Sequence, residues 1–367
     1  MYSLVLVAVA GIVAAAPRPQ DLPVDAVDAI PSPTLLGPAI TASSQDVSYP
    51  SSSILSSVQA AITDGSAPAT VVDANNKRKR QAASTCQPQP SGYGPIAVPD
   101  TVSDFLANAA ISASATAAAT AAPPSYTNVF VNLQGSTQQT GYLGLHTLHS
   151  YDPAVCASYC DSSAFCEAFN LYFERDPTEN PNDPSCANPP STTNIKCTLY
   201  GYPISANTAT NTGQYRNQFQ VVIAGSNGYV KNRTPPVLTN FTGPVSFGDA
   251  AINAPNDPVT GANTYIGVKA YDTGRYDPSL CATACQAQTL YDKTHPASGA
   301  TTYMPCNFFN AYILVKNGIP QGTICSLYTE TWDASYATNY GQTRGTDVYT
   351  IYESLGYSLT NTDPGTL

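Results

Sequence analysis

The chain has 367 residues, with 15 lysines and arginines against 25 aspartates and glutamates, a formal net charge of −10. That balance speaks against DNA, RNA or heparin as a partner, because polyanions are held by clustered cations. Only 11% of the residues are charged while 24 are tyrosine, so a folded surface has to be built largely from Ser, Thr, Asn, Gln and Tyr.

Met1-Tyr2-Ser3 leads into an apolar run from Leu4 to Val13 and then Ala14, Ala15 and Ala16. This is the order of a secretory signal peptide, residues 1–16, and the run is too short to span a bilayer. No later stretch is apolar over a spanning length, so the product is expected to be secreted, extracellular or in the cell wall, with no membrane span. Pro17 to Asn76 is rich in Pro, Ser, Ala and Asp, lacks cysteine and ends at Lys77-Arg78-Lys79-Arg80. Residues 17–80 read as a propeptide processed after Arg80, a nucleic-acid or targeting patch being the other meaning of four adjacent cations. Five of the cations and six of the acids precede Gln81, which leaves 10 and 19 and a net charge of −9 for the remainder. All ten cysteines also follow Gln81, an even number in a chain bound for an oxidising compartment. Five disulfides are expected.

Residues 81–124 form an N-terminal arm. It opens as Pro-rich coil, and a helix is predicted from Asp100 or Thr101, with Asp104 completing the cap. Val102, Phe105, Leu106, Ala109 and Ile111 are placed to cover a neighbouring face. The Ala, Ser and Thr run to Thr120 is expected to leave the helix at about Ala113 and become a linker.

Beyond the arm the chain repeats itself. Tyr-Asp-Pro-x-x-Cys-x-x-x-Cys runs from Tyr151 to Cys160 and again from Tyr276 to Cys285. Cys166-x-x-Phe169-Asn170-x-Tyr172 answers to Cys306-x-x-Phe309-Asn310-x-Tyr312, and Cys197-Thr198-Leu199-Tyr200 to Cys325-Ser326-Leu327-Tyr328. Asn211-x-Gly213-Gln214-x-Arg216 answers to Asn339-x-Gly341-Gln342-x-Arg344. Two copies of one unit follow, 125–230 and 236–358, with a tail at 359–367. In each, Asp-Pro opens a helix, Asp as N-cap and Pro at the first helical position, and the two cysteines four residues apart share one helix face. The alternating runs Ala168–Phe173 and Phe308–Val315 predict a first strand, Cys-x-Leu-Tyr a second, and Phe219–Ala224 or Val348–Tyr352 a third. The fold class is therefore α+β, each unit a helix packed on a small antiparallel sheet. Asn232-Arg233-Thr234 and Asn240-Phe241-Thr242 are N-glycan acceptors at the junction, which Pro235 and Pro236 also mark.

A helix carrying Cys-x-x-x-Cys beside strands opening Cys-x-x-Phe and Cys-x-Leu-Tyr resembles the PAN or apple modules. The whole chain also resembles a group of secreted proteins of filamentous fungi, some labelled fruit-body-specific. The resemblance covers about two thirds of the chain and implies the staples Cys156 to Cys197, Cys160 to Cys166, Cys281 to Cys325 and Cys285 to Cys306. Cys86 and Cys186 are left over, either bridging arm to first unit or free. Apple-type modules bind varied partners, so the resemblance implies binding without naming a ligand.

Motifs for chemistry are sparse. His146 and His149 are three apart in a segment that reads as a strand, where they face opposite ways, so no metal site is expected. Asp272-Thr273-Gly274 stands alone, whereas aspartic-protease chemistry needs two such loops. Glu174, Asp176 and Glu179 read as an acidic loop, with glycoside hydrolysis or calcium binding as alternatives. The positive signal is aromatic, since tyrosine offers a flat apolar face and a hydroxyl, suited to sugar rings or protein contacts. Trp332, Tyr336 and Tyr340, with Tyr202 and Tyr215, are the candidate ligand contacts, a core role being the alternative for Trp332, while Tyr172, Tyr200, Tyr312 and Tyr328 are assigned to the core. The repeated Asn-x-Gly-Gln-x-Arg reads as a turn rather than a twin binding element. The expected function is non-enzymatic recognition of a cell-wall polysaccharide or glycoprotein, without cofactor. The alternatives are a structural wall or host-facing effector protein with a protein partner, and a hydrolase.

Overall fold

A computed structural model describes Asp28, residues 44–46, residues 51–63, and residues 86–367 other than 164, 258, 273 and 274. The signal peptide and the basic run at 77–80 lie outside the described residues, as do Thr273 and Gly274.

The strands are β1 (Ser44–Asp46), β2 (Tyr126–Leu133), β3 (Tyr142–Leu148), β4 (Ala168–Pro177), β5 (Ser191–Tyr200), β6 (Gly213–Arg216), β7 (Phe219–Lys231), β8 (Phe241–Gly248), β9 (Ala251–Ile252), β10 (Tyr265–Tyr271), β11 (Phe308–Lys316), β12 (Ile319–Tyr328), β13 (Ala337–Asn339), β14 (Gly341–Arg344) and β15 (Asp347–Leu359). The helices are α1 (Ser51–Thr63), α2 (Val102–Leu106), α3 (Ala109–Thr120), α4 (Pro153–Ser162) and α5 (Pro278–Thr294). The chain is α+β and mostly sheet. The first repeat forms a sheet in the order β3-β5-β4-β7-β2 with β6 on β7, and β1 adds to its β3 edge. The second forms β10-β12-β11-β15 with β8 and β14 both on β15, the same order strand for strand. All pairs are antiparallel.

Repeated residues make repeated bonds. Asp152 accepts from the Ala154 amide at 2.8 Å and Asp277 from the Ser279 amide at 3.0 Å, so both helices begin where the Asp-Pro pair caps them. Cys156–Cys197 and Cys281–Cys325 fasten each helix to a central strand, and Cys160–Cys166 and Cys285–Cys306 fasten it to the approach of β4 or β11. Cys86–Cys186 ties the arm to the first repeat, making five disulfides. Asn170 and Asn310 are fully buried and wired alike. Asn170 accepts from the Thr137 amide and donates to Ser226 Oγ and the Asn227 carbonyl. Asn310 accepts from the Ile252 amide and donates to Ser354 Oγ and the Leu355 carbonyl. Tyr229 stacks on Phe169 at 4.7 Å between ring centroids, and Tyr357 on Phe309 at 5.0 Å.

Two features depart from the sequence expectation and a third adds to it. The arm helix does not end at Ala113: Asn108 recaps the chain, and α3 continues to Thr120 with Ala115 and Ala118 buried. Small residues permit that close approach, so the run is packing surface, not linker. The third strand of each repeat runs to Lys231 or Leu359, well past the predicted end, because it also pairs with β2 or β8. Finally, the described parts of residues 17–80 are built onto the rest. Ile54 and Val58 of α1 join an apolar cluster with Leu280, Phe309 and Tyr357 of the second repeat.

Candidate functional site

Trp332 and Tyr202 are not surface residues. Trp332 is 7% exposed and packs edge-on to Tyr336 among Phe247, Ile252, Phe308 and Tyr328. The β9–β13 ribbon folds the segment after β12 back onto the sheet, and burial of the indole is the gain. Tyr336 is half-buried at the margin of the same cluster. Tyr202 is fully buried in the seam between repeats, within the same core as Tyr276 and Leu280. Tyr215 and Tyr340 are each 69% exposed, on the β6–β7 hairpin and its counterpart before β14. The Asn-x-Gly turns beside them are structural: Asn211 accepts from the Gly213 amide at 3.1 Å and Asn339 from the Gly341 amide at 3.2 Å. Both glycines have positive φ with a carbonyl 2.1 Å from any added Cβ, so only glycine fits.

The acidic residues separate. Glu179 stands beside the Cys86–Cys186 bridge; these three form the single group with metal-site spacing among the described residues, but both sulfurs are spent in the disulfide. Glu174 and Asp176 are buried on one face of β4, with Lys196 Nζ 3.7 Å from Glu174 and the Asn194 amide 2.7 Å from Asp176. Burial, reinforced by the neighbouring Asp176 and only partly offset by Lys196, pushes the Glu174 carboxyl up to about 8. His146 stacks on Tyr159 and His149 on Tyr93.

The structure assembles a different constellation where the repeats meet. Arg233, in the linker that leaves β7, reaches Glu167 of the first repeat through Nε and Glu353 of the second through Nη1 at 2.8 Å. Its guanidinium lies 4.8 Å from the Tyr276 ring centroid, and the Tyr276 amide donates to the Gly201 carbonyl at 2.9 Å. A recess of about 400 Å³ opens on one side of Arg233, lined by Thr127, Val129, Asn232, Asp249, Tyr352 and Glu353. A second of about 490 Å³ is lined by Asp161, Phe165, Leu238, Tyr276 and Asp277 among others. These sizes suit a small ligand or a short stretch of polymer.

Backbone strain marks the same place. Among the described residues, six other than glycine have positive φ, and four are asparagine, which tolerates it; the other two are Phe165 (66°) and Glu353 (52°), one in each recess. Glu353 occupies the position that Gly225 (59°) holds in the first repeat. Both sit at a bulge and receive a hydroxyl from the repeated tyrosine, Tyr151 to Gly225 and Tyr276 to Glu353. The second repeat thus places a carboxylate where the local conformation asks for glycine, and that carboxylate points to Arg233. Phe165 lies under the Arg275 guanidinium, which Asp277 holds at 2.9 Å.

The electrostatics of the cleft are closed on the cationic side. Lys231 is bound to Asp161 at 2.7 Å, and Arg233 is shared by two carboxylates. Burial pushes Glu353 up to about 7 and raises Glu167, although Arg233 opposes both shifts. Carboxylates and half-exposed Tyr352 therefore offer acceptors and an apolar face, while no cation lining either recess is left to neutralise an anion.

The chain has no match among protein-family models, curated proteins or solved structures. Arg233, Glu353, Glu167 and Tyr352 escaped sequence reasoning because each is informative only beside a residue of the other repeat. One signal was available: aligning the copies sets Glu353 against Gly225, a charged residue at a glycine position.

Proposed function

We propose that this chain is a secreted, non-enzymatic binding protein whose ligand, a neutral polysaccharide or the glycan of a glycoprotein, lies in the cleft between the repeats. The observation that carries this reading is the cleft itself: recesses walled by both repeats, with Tyr352 and Phe165 partly exposed and every flanking cation paired. Sugar hydroxyls donate to carboxylates and sugar faces stack on aromatic rings, whereas an anionic ligand needs a cation the cleft does not have to spare. Five disulfides, and described helices too short or polar to cross a membrane, support an extracellular setting. The resemblance to PAN or apple modules agrees with a binding role. Tyr215 and Tyr340, one on each repeat, are exposed and are kept as further candidate contacts.

Retention of the full chain on insoluble chitin, β-glucan and cellulose tests the reading, with a glycan array alongside. Tyr352→Ala is expected to weaken retention about tenfold or more and Tyr215→Ala less, since removal of a stacking aromatic costs about 1–2 kcal/mol. No retention on any polymer together with a silent array overturns the carbohydrate reading. Capture of a single protein by cross-linking at Tyr352 would then favour the protein-partner alternative.

A further inference from the structure

The described residues ahead of the basic run are anchored to both repeats in turn. Asp28 accepts from Tyr349 Oη at 2.7 Å and pairs with Lys316 Nζ at 3.2 Å in the second repeat. Ser44–Asp46 then adds a strand to the β3 edge of the first, in the register Ser44 to His146, Gln45 to Leu145 and Asp46 to Gly144. Tyr142 Oη donates to Gln45 Oε1 at 3.2 Å. Helix α1 returns to the second repeat and packs along α5, with Val58 fully buried, Ile54 7% exposed and Leu55 at the rim of the cluster.

The acceptor surface is shaped for an incoming chain. Gly144 has a φ of 152°, and a Cβ there would stand 2.2 Å from the Gln45 carbonyl, so the edge admits a neighbouring backbone because the residue is glycine. Gly267 is its counterpart on β10, with φ of 146° and open space around it. Helix α5 has 17 residues against 10 in α4, the extra length coming from the longer interval between the second and third cysteines of the second copy. That longer helix is the one on which α1 packs.

We propose that β1 and α1 together are a removable occupant of a peptide-docking surface made of the β3 edge and the outer side of α5. The surface takes a short extended segment followed by an amphipathic helix with an Ile-Leu-x-x-Val face. Strand addition supplies main-chain hydrogen bonds, and the helix supplies apolar burial. In the intact chain the site is filled in cis. A cut within Lys77–Arg80 turns that occupant into a separate, dissociable peptide and opens the surface to a partner segment of the same chemistry. The inference is independent of any ligand in the cleft.

The test compares the full chain before and after cleavage within residues 77–80 by a dibasic-specific endoprotease, the fragments being resolved by gel filtration. Hydrogen exchange in 142–148 and 278–294 is expected to be slow in the intact chain and to quicken about tenfold or more once the fragment is gone. A labelled 44–63 peptide is expected to bind the cleaved, separated protein and not the intact chain, and to lose about tenfold or more in affinity as the Val58→Asp variant. Unchanged exchange in both segments overturns the proposal, as does equal peptide uptake by intact and cleaved protein. A cleaved protein that unfolds also overturns it, because β1 and α1 would then be core. Two full-chain variants test it without cleavage: Val58→Asp should quicken exchange in 278–294, and Gln45→Pro in 142–148 alone. No change in either segment overturns it again.

Discussion

The two repeats share a backbone and differ on the sheet face turned away from the helix. In the first repeat that face carries Tyr172, Glu174, Asp176, Asn194 and Lys196, all buried. In the second the same strand positions hold Tyr312, Leu314, Lys316, Gly322 and Ile324, and Leu314 and Ile324 join a cluster with Ala270, Tyr349 and Ile351. The facing strands keep one register, Tyr172 opposite Lys196 in the first and Tyr312 opposite Ile324 in the second. An ionic interior and an apolar one therefore serve the same architecture. The lesson is that the architecture rests on what both copies keep: the capped helix, its two staples, the buried asparagine and the tyrosine on the bulge. Buried ion pairs add little net stability, since desolvation consumes most of the Coulomb gain, so the face is free to vary.

Exchanging the two faces should break the comparison most forcefully. Lys196→Ile alone leaves Glu174 and Asp176 buried without their lysine, and urea unfolding at pH 8 is expected to show a loss of about 3–5 kcal/mol. Glu174→Leu added to Lys196→Ile imports the second repeat's pair and should recover most of that loss. If the double variant is as unstable as the single, the faces are not interchangeable.

A smaller effect is expected at the bulge. Gly225→Ala forces a side chain into a left-handed conformation with Ile111 and Phe173 within 3 Å, and should cost about 1–3 kcal/mol. Glu353→Gly relieves the corresponding strain but frees Arg233 from one carboxylate, so net stability should move by less than about 1 kcal/mol. Differential scanning calorimetry separates them; equal losses would mean that Glu353 is a structural residue like Gly225.

A third contrast is read against pH. Glu353, Glu167 and Glu174 have folded values above the ordinary 4.5, so the folded state binds protons that the unfolded chain has released. Their contribution to stability is greatest below about 4.5 and declines as pH rises through about 7 for Glu353 and about 8 for Glu174. Glu353→Gln should flatten the lower part of that decline and Glu174→Gln the upper part, read from the melting temperature at closely spaced pH values. Asp100 behaves oppositely. Burial works against it, yet hydrogen bonds from Ser191 and Arg175 hold its carboxyl low, so its contribution is lost in acid. A melting temperature that rises steadily from pH 5 to 8 would contradict the raised carboxyls.

Legibility followed the range of the interaction. Asp152 and Asp277 announce their helices because a cap involves residues two apart, and Cys156 with Cys160 shows its face because one helical turn separates them. Tyr172, Tyr200, Tyr312 and Tyr328, assigned to the core from their place in the repeated strands, are all buried. Tyr202 is buried although its loop position suggests exposure, and of the two readings open for Trp332 the core one holds. Their burial depends on a ribbon and a seam formed by residues distant in sequence.

The duplication, the α+β character, the helix starts and the even complement of cysteines are legible in the unfolded chain, because local pattern or comparison of the chain with itself carries each of them. Which tyrosines meet solvent, the sharing of Arg233 between Glu167 and Glu353, and the packing of β1 and α1 against the two repeats emerge only on folding. Those outcomes depend on burial and charge pairing between segments tens to hundreds of residues apart, and no local propensity encodes them.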